Sequence, residues 1–364
     1  MRSLIDIPDL SVEELYALID KATDIMQNPQ KYCEACKGKK LATLFFEPST
    51  RTRLSFEAAM LELGGSVIGF SEASNSSASK GESIADTARV IGCYANIIAM
   101  RHPKEGAPYV ASLNAGIPVI NAGDGGHAHP TQTLADLLTI AREKGRLDRM
   151  TVGFCGDLKY GRTVHSLIAA LSRYAGIEVV LISPEELRLP SYVKNEVIKK
   201  SGMTYRETTD LDAAMPSLDV LYMTRIQRER FTDKAQYERL KDCYILTPEK
   251  LENAKPDLSI LHPLPRVNEI STRVDADPRA AYFKQVLNGK YMRMALILML
   301  LEEAEKNPVL QGDDNGATYL TDTLTCENAR CITSEERDLR QVFRVTEKEK
   351  RICRCIYCEA KKIF

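Results

Sequence analysis

The feature that most constrains this chain is a regular alternation of short apolar runs with longer helical ones. Residues 41–46, 67–70, 97–100 and 118–120 read as short strands, and helical spacing occupies 54–61, 84–94, 108–114 and 131–144, where Gly145 supplies the stop. A second series opens with a buried strand at 150–157 and continues through a helix at 163–174 and strands at 179–182 and 220–223. Strands that alternate with helices in this way form parallel sheets covered on both faces. The expected fold class is therefore α/β: two doubly wound parallel-sheet α/β domains with a cleft between them. A chain of 364 residues has room for two or three domains.

Local signals set the boundaries. Ser11-Val12-Glu13-Glu14 is a capping box, and Leu15, Leu18, Ile19, Ala22, Ile25 and Met26 keep helical spacing behind it. The first domain is expected over 1–131 and 285–305, because the helix at 291–301 is apolar around most of its surface and should pack back onto it. The second domain is expected over 132–284. Residues 306–324, with Asn307-Pro308 and Gly312-Asp313-Asp314-Asn315-Gly316, read as a linker, and 325–364 as a small zinc-binding β domain.

Composition narrows the class of function. A net charge of −1 gives no global attraction to nucleic acid or to an anionic membrane, so any anion must be held by local arginines. The apolar run at 294–301 is too short to span a bilayer. The first eight residues lack the apolar core and cleavage site of a signal peptide, and a cytoplasmic protein is expected.

Four of the ten cysteines close the chain in two knuckles, Cys326 with Cys331 and Cys355 with Cys358. Four thiolates so paired make a closed tetrahedral site for a structural Zn2+, with no open position for catalysis. A lobe of this size cannot bury an adequate core alone, so the metal would supply folding energy. Cys353 could stand in for Cys355. A redox dithiol and a nucleic-acid zinc ribbon are the other readings of the tail, which carries Lys361-Lys362 near its end. Cys33 and Cys36 have no partner pair nearby and read as incidental.

Five separated stretches are suited to anions. Ser49-Thr50-Arg51-Thr52-Arg53 opens a helix, where hydroxyls, unpaired N–H groups and guanidinium forks suit a phosphate. The polar run 74–82 reads as a mobile loop presenting Lys80. Met100-Arg101-His102 puts an arginine at the end of a strand. A glycine-rich approach, Gly123-Asp124-Gly125-Gly126, leads to His127-Ala128-His129-Pro130-Thr131-Gln132, with His129 at a helix start. There a neutral imidazole can donate to a carbonyl oxygen. The last set, Tyr160-Gly161-Arg162, Thr224-Arg225-Ile226-Gln227 and His262-Pro263-Leu264-Pro265-Arg266, falls in loops of the second domain. Ligands bind at the carboxyl ends of such strands. Together the five describe a site for two anionic substrates.

With Ser-Thr-Arg-Thr-Arg, His-Pro-Thr-Gln and His-Pro-Leu-Pro in order, residues 1–305 resemble the catalytic chains of the aspartate carbamoyltransferase family from end to end. The tail is similar to the zinc domain of that family's regulatory chain, whose nucleotide-binding domain has no counterpart here. The resemblance implies transfer of the carbamoyl group of carbamoyl phosphate to the α-amine of L-aspartate, in de novo pyrimidine biosynthesis, with no cofactor for the chemical step. It implies Ser49, Thr50, Arg51 and Thr52 on the phosphate, and Arg101, His129 and Thr52 on the carbamoyl oxygen. Gln132 would sit near the carbamoyl NH2, with the Leu264 and Pro265 backbone completing the pocket. Arg162, Arg225 and Gln227 would bind the aspartate carboxylates. Ser76 and Lys80 match a loop that enters a neighbouring subunit's site, touching both substrates. A homotrimer with shared active sites follows, with a larger homo-oligomer through the zinc domain as a further expectation. The sister reaction on ornithine, a silent scaffold and a zinc-ribbon nucleic-acid binder are the rivals. Arg162 and Arg225 argue against the first, the intact anion motifs against the second, and the neutral net charge against the third.

Overall fold

The computed structural model describes residues 2–75, 77–226, 233–307 and 317–364. The chain divides into two compact units: residues 1–131 with 290–364, and residues 132–289.

In the first unit α1 (Val12–Gln27) carries its capping box, with Ser11 Oγ accepting from Glu14 N at 3.1 Å and Glu14 Oε2 from Ser11 N at 2.6 Å. Strand β1 (Lys40–Phe45) is buried beyond its first residue and leads into α2 (Thr50–Glu62). Gly64 ends that helix at φ +79°, and a Cβ there would lie 2.3 Å from the Cys33 carbonyl oxygen, so only glycine fits. Strand β2 (Ser66–Phe70), helix α3 (Ile84–Gly92), strand β3 (Ile97–His102), helix α4 (Ala107–Asn114) and strand β4 (Val119–Asp124) follow. The four strands form one parallel sheet in the order β2-β1-β3-β4.

Residues 290–306, the second part of the long helix Tyr282–Lys306, bury Met294, Ala295, Leu296 and Ile297. Arg293 is only 5% exposed. Its Nη1 donates to Ser55 Oγ at 3.1 Å and its guanidinium lies 5.1 Å from the centre of the Phe56 ring, so this buried cation has partners on α2.

The second unit begins inside α5 (Pro130–Lys144). Its strands β5 (Met150–Cys155), β6 (Ile177–Ile182), β7 (Thr204–Thr208), β8 (Val220–Met223) and β9 (Ser259–Leu261) make a parallel sheet in the order β7-β6-β5-β8-β9. Helix α6 (Arg162–Leu171) connects β5 to β6. The order reverses at β5, the switch that defines a doubly wound sheet.

The tail has its own antiparallel sheet of β10 (Tyr319–Thr321), β11 (Val342–Glu347), β12 (Ile352–Cys355) and β13 (Lys361–Ile363). One expectation is corrected here: residues 319–321 fall in the expected linker, yet they pair with β11. The small β domain packs within the first unit, because Ile332, Phe343 and Tyr357 share one core with Ala107, Val110 and Ala111 of α4. Glu105, 4% exposed, ties the two together. Its N donates to the Arg330 carbonyl at 2.8 Å, and its carboxylate accepts from Asn328 Nδ2 at 2.6 Å and pairs with Arg330 Nε at 3.1 Å. Among the described residues no helix is long and apolar enough to cross a membrane.

Candidate active site and metal site

The first unit gathers its candidate residues at the carboxyl ends of its strands. Phe45 pairs with Arg101 across β1 and β3, which brings the start of α2 beside the arginine. Ser49 is the N-cap of α2, but its side chain makes no capping bond, contrary to the capping role its position suggests. A helix start of this kind, with a hydroxyl and N–H groups at its end, is where an anion can be held. Thr50 and Arg51 are exposed, and Thr52 is buried. The run expected as a loop contains two short 3-10 turns, Ala73–Asn75 and Ser77–Lys80, with Lys80 exposed. Ser76 lies outside the described residues, as does Gln227.

Arg101 and His129 are brought together. Gly123, at φ +122°, lies between them: a Cβ there would be 2.8 Å from Arg101 Nη1 and 3.4 Å from His129 Cδ2. Arg101 Nη2 is 2.7 Å from Glu47 Oε1, while its Nε is buried with no hydrogen-bond partner among the described residues. Burial pulls the guanidinium pKa down, and the charge of Glu47 opposes it. An arginine so placed can exchange Glu47 for an anionic substrate. His129 is buried at the first turn of α5, its Nδ1 3.5 Å from Thr131 Oγ1.

Asp124 shapes the approach to His129. Its Oδ1 accepts from Ala128 N at 3.0 Å and from Asn121 Nδ2 at 2.9 Å; its Oδ2 accepts from Gly106 N at 2.9 Å and meets His127 Nδ1 at 2.9 Å. His127 thus pairs with a carboxylate. Burial alone would lower its pKa, but Asp124, helped by Asp6 and Glu105, carries it up to about 9.

In the second unit Arg162 is the first residue of α6 and Arg225 follows β8, both partly buried. Leu264 and Pro265 follow β9 and are joined by a cis peptide bond, with Leu264 at φ +55°. His262 fixes this turn: its Nδ1 accepts from Leu264 N at 2.8 Å, so its Nε2 carries the proton donated to Glu269 Oε1 at 2.7 Å. Gln132 Nε2 donates to Asp136 Oδ1 at 2.7 Å.

The sulfurs of Cys326, Cys331, Cys355 and Cys358 all lie within 4.8 Å of one another. Cys326 and Cys358 are 3.6 Å apart, and Cys331 and Cys355 are 3.9 Å apart. A tetrahedral zinc with Zn–S bonds of about 2.3 Å separates its sulfurs by about 3.8 Å, so the four thiols fit such an ion. Thr333 Oγ1 donates to Cys331 Sγ at 3.2 Å, a supporting contact around the ligands. Hydrogen bonds from Cys326, Cys355 and Cys358 hold the Cys331 thiol far below its usual range, while contacts with Cys326 and Cys331 push Cys355 and Cys358 far up. The four compete for negative charge that a cation would relieve. Cys353 points elsewhere, toward the Lys362 carbonyl at 3.5 Å.

Several of these residues had no part in the sequence reading. Asp136 follows Gln132 by four residues, one helical turn, which is a usable signal. Glu47 lies beside the phosphate motif. Glu105 has no local signature, because Asn328 and Arg330, which it joins to the first unit, are more than two hundred residues away.

Comparison with known proteins agrees with this architecture. Residues 2–142 match the "Aspartate/ornithine carbamoyltransferase, carbamoyl-P binding domain" and 148–300 the "Aspartate/ornithine carbamoyltransferase, Asp/Orn binding domain". Residues 318–362 match the "Aspartate carbamoyltransferase regulatory chain, metal binding domain". The chain belongs to the aspartate/ornithine carbamoyltransferase family, with a regulatory-chain-like metal-binding domain at its C-terminal side. It is 64% identical over 301 residues to the aspartate carbamoyltransferase catalytic subunit of Lachnoclostridium phytofermentans, covering 83% of this chain and 98% of that protein. The corresponding Clostridium acetobutylicum subunit is 61% identical over 300 residues, covering 82% and 98%. Among solved structures, the catalytic subunit of M. jannaschii aspartate transcarbamoylase is 48% identical with a TM-score of 0.79, over 84% of this chain and 99% of that one. Aspartate transcarbamoylase from Trypanosoma cruzi, solved with N-(phosphonacetyl)-L-aspartic acid, is 41% identical with a TM-score of 0.77, over 82% and 95%.

Proposed function

We propose that this chain transfers the carbamoyl group of carbamoyl phosphate to the α-amine of L-aspartate, giving N-carbamoyl-L-aspartate and phosphate for de novo pyrimidine biosynthesis. The observation that carries the reading is the convergence of Arg101 and His129 on Gly123, beside the anion-ready start of α2. Ser49, Thr50, Arg51 and Thr52 hold the phosphate. Arg101, His129 and Thr52 draw charge onto the carbamoyl oxygen, and Gln132 with the Leu264 and Pro265 carbonyls receives the NH2. Arg162, Arg225 and Gln227 bind the two carboxylates of aspartate.

The free amine adds to the carbamoyl carbon and a tetrahedral oxyanion forms. The C–O bond to phosphorus then breaks, and the departing phosphate can take the nitrogen's proton. No protein nucleophile is needed: positioning and charge stabilisation do the chemistry. Arg51→Ala is expected to cut turnover at least about a hundredfold, the usual cost of losing one such donor; near-wild-type turnover would refute the assignment.

Zinc is the metal that best suits the four thiolates, in a structural role. A thiolate cluster of this kind fits the reducing cytoplasm. Lys80 and Ser76 act in a neighbouring subunit's site, which makes the working form a homotrimer. Sedimentation at three times 40.7 kDa, or a multiple of it, checks this, and a lone chain with full activity contradicts it.

A further inference from the structure

We propose that Asp136 is a positioning residue that aims hydrogen-bond acceptors at the carbamoyl amide subsite, turning the Gln132 amide oxygen and, through Gln285 and the His262 backbone, holding the turn at Leu264, and so favours an NH2 group over a methyl group or an oxygen anion. The proposal rests on the roles given to Gln132 and Leu264 above.

Asp136 is fully buried on α5. Its Oδ1 accepts from Gln132 Nε2 at 2.7 Å and from Gln285 Nε2 at 2.6 Å, and its Oδ2 accepts from Tyr222 Oη at 3.0 Å. An ionised carboxylate can only accept, so each of these groups must turn a hydrogen toward it. Burial and the Asp136 charge hold the Tyr222 hydroxyl well above the usual phenol range, which keeps it a donor.

The consequence passes in two directions. Gln132 commits one amide hydrogen to Asp136, which turns the nitrogen toward the carboxylate and Oε1, an acceptor, away from it. Gln285, turned the same way, presents its Oε1 to His262 N at 3.0 Å. His262 in turn takes Leu264 N on Nδ1 at 2.8 Å, so the Leu264 N–H is used internally and its carbonyl is what the turn can offer. Asp136 thus orients the Gln132 side chain directly and, through Gln285, holds the His262 backbone from which the turn starts, while Glu269 on Nε2 keeps the His262 ring an acceptor for Leu264 N. A carbamoyl NH2 satisfies such acceptors. A methyl group leaves them unpaired and a carboxylate oxygen is repelled; rejection of this kind is far stronger than size discrimination alone.

The test compares carbamoyl phosphate with acetyl phosphate, which carries a methyl group in place of the NH2. The readout is the ratio of the acetyl phosphate inhibition constant to the carbamoyl phosphate KM, with inorganic phosphate as a control. In Asp136→Leu the ratio should fall at least about tenfold, the equivalent of one hydrogen bond, while inhibition by inorganic phosphate stays put. In Asp136→Asn the ratio should stay near wild type, because the amide oxygen still accepts from both glutamines. A wild-type ratio in Asp136→Leu, or an equal fall in both variants, overturns the proposal. If Asp136→Leu does not fold by circular dichroism, Gln285→Met reads the same ratio: a fall is expected, and an unchanged ratio overturns the relay. Failure of the underlying activity would show instead as absence of turnover in the wild-type enzyme.

Discussion

Replacing Gly123 with alanine perturbs the centre of the proposed site while removing no functional group. The cost has two parts. At φ +122° an L-residue is strained, by about 1–3 kcal/mol. The new methyl would also lie 2.8 Å from Arg101 Nη1 and 3.4 Å from His129 Cδ2. A surface arginine would swing aside, but this one is held by Glu47 at 2.7 Å and by the Ala122 carbonyl at 3.4 Å. The guanidinium and imidazole must therefore move apart by a fraction of an ångström to about one ångström, and displacement on that scale costs on the order of a hundredfold in rate. Steady-state kinetics with carbamoyl phosphate and aspartate should show kcat reduced by about that factor, a lower unfolding midpoint, and nearly unchanged inhibition by inorganic phosphate. A kcat within about threefold of wild type would show that Arg101 and His129 do not act as a pair, and would refute the reasoning.

The metal site makes a sharper distinction than its spacing allows: Cys355→Ser should lose bound zinc and lower the unfolding midpoint, whereas Cys353→Ser should keep one zinc per chain by elemental analysis. The reverse result would reassign the third ligand. The His127–Asp124 pair gives a pH dependence. His127 is raised from 6.5 to about 9, so its stabilising contribution is complete below pH 6.5 and disappears as pH climbs through 9. Asp6, pushed up to about 6 by burial, is mostly ionised as His127 titrates and leaves the sign unchanged, but it takes up a proton as pH falls through 6 and then no longer supports the His127 charge. The difference in unfolding midpoint between wild type and His127→Gln should accordingly be largest near pH 6.5 and vanish near pH 10; a difference that persists at pH 10 would contradict the charged pair.

The parts of the fold that the sequence makes legible are those whose signal is local and periodic. Strand β1, the capped α1 and the glycine stops after α2 and α5 each follow from a handful of adjacent residues. Strand β7 was missed because Thr204–Thr208 is an edge strand with mostly exposed polar side chains, which alternation cannot separate from loop. Strands β9 and β10 are three residues each, below the length at which a period can be read. The anion motifs were legible because phosphate binding needs donors adjacent in sequence at a helix start. Glu47, Glu105, Gly123 and Asp136 act by what they hold in place, and each has a partner from another segment: Arg101 for Glu47 and Gly123, Asn328 for Glu105, Tyr222 and Gln285 for Asp136. Glu105 is the clearest case: its contacts with Asn328 and Arg330 make the metal lobe part of the first unit, and nothing near residue 105 announces them.

The central claim is most directly tested by product formation from carbamoyl phosphate with the purified, zinc-loaded chain, given L-aspartate, L-ornithine or neither. The account predicts carbamoyl aspartate and phosphate with aspartate, and no carbamoylated product with ornithine or without an amine. Silence with both amines, in folded protein of the correct assembly mass, or carbamoylation of ornithine instead, would contradict it.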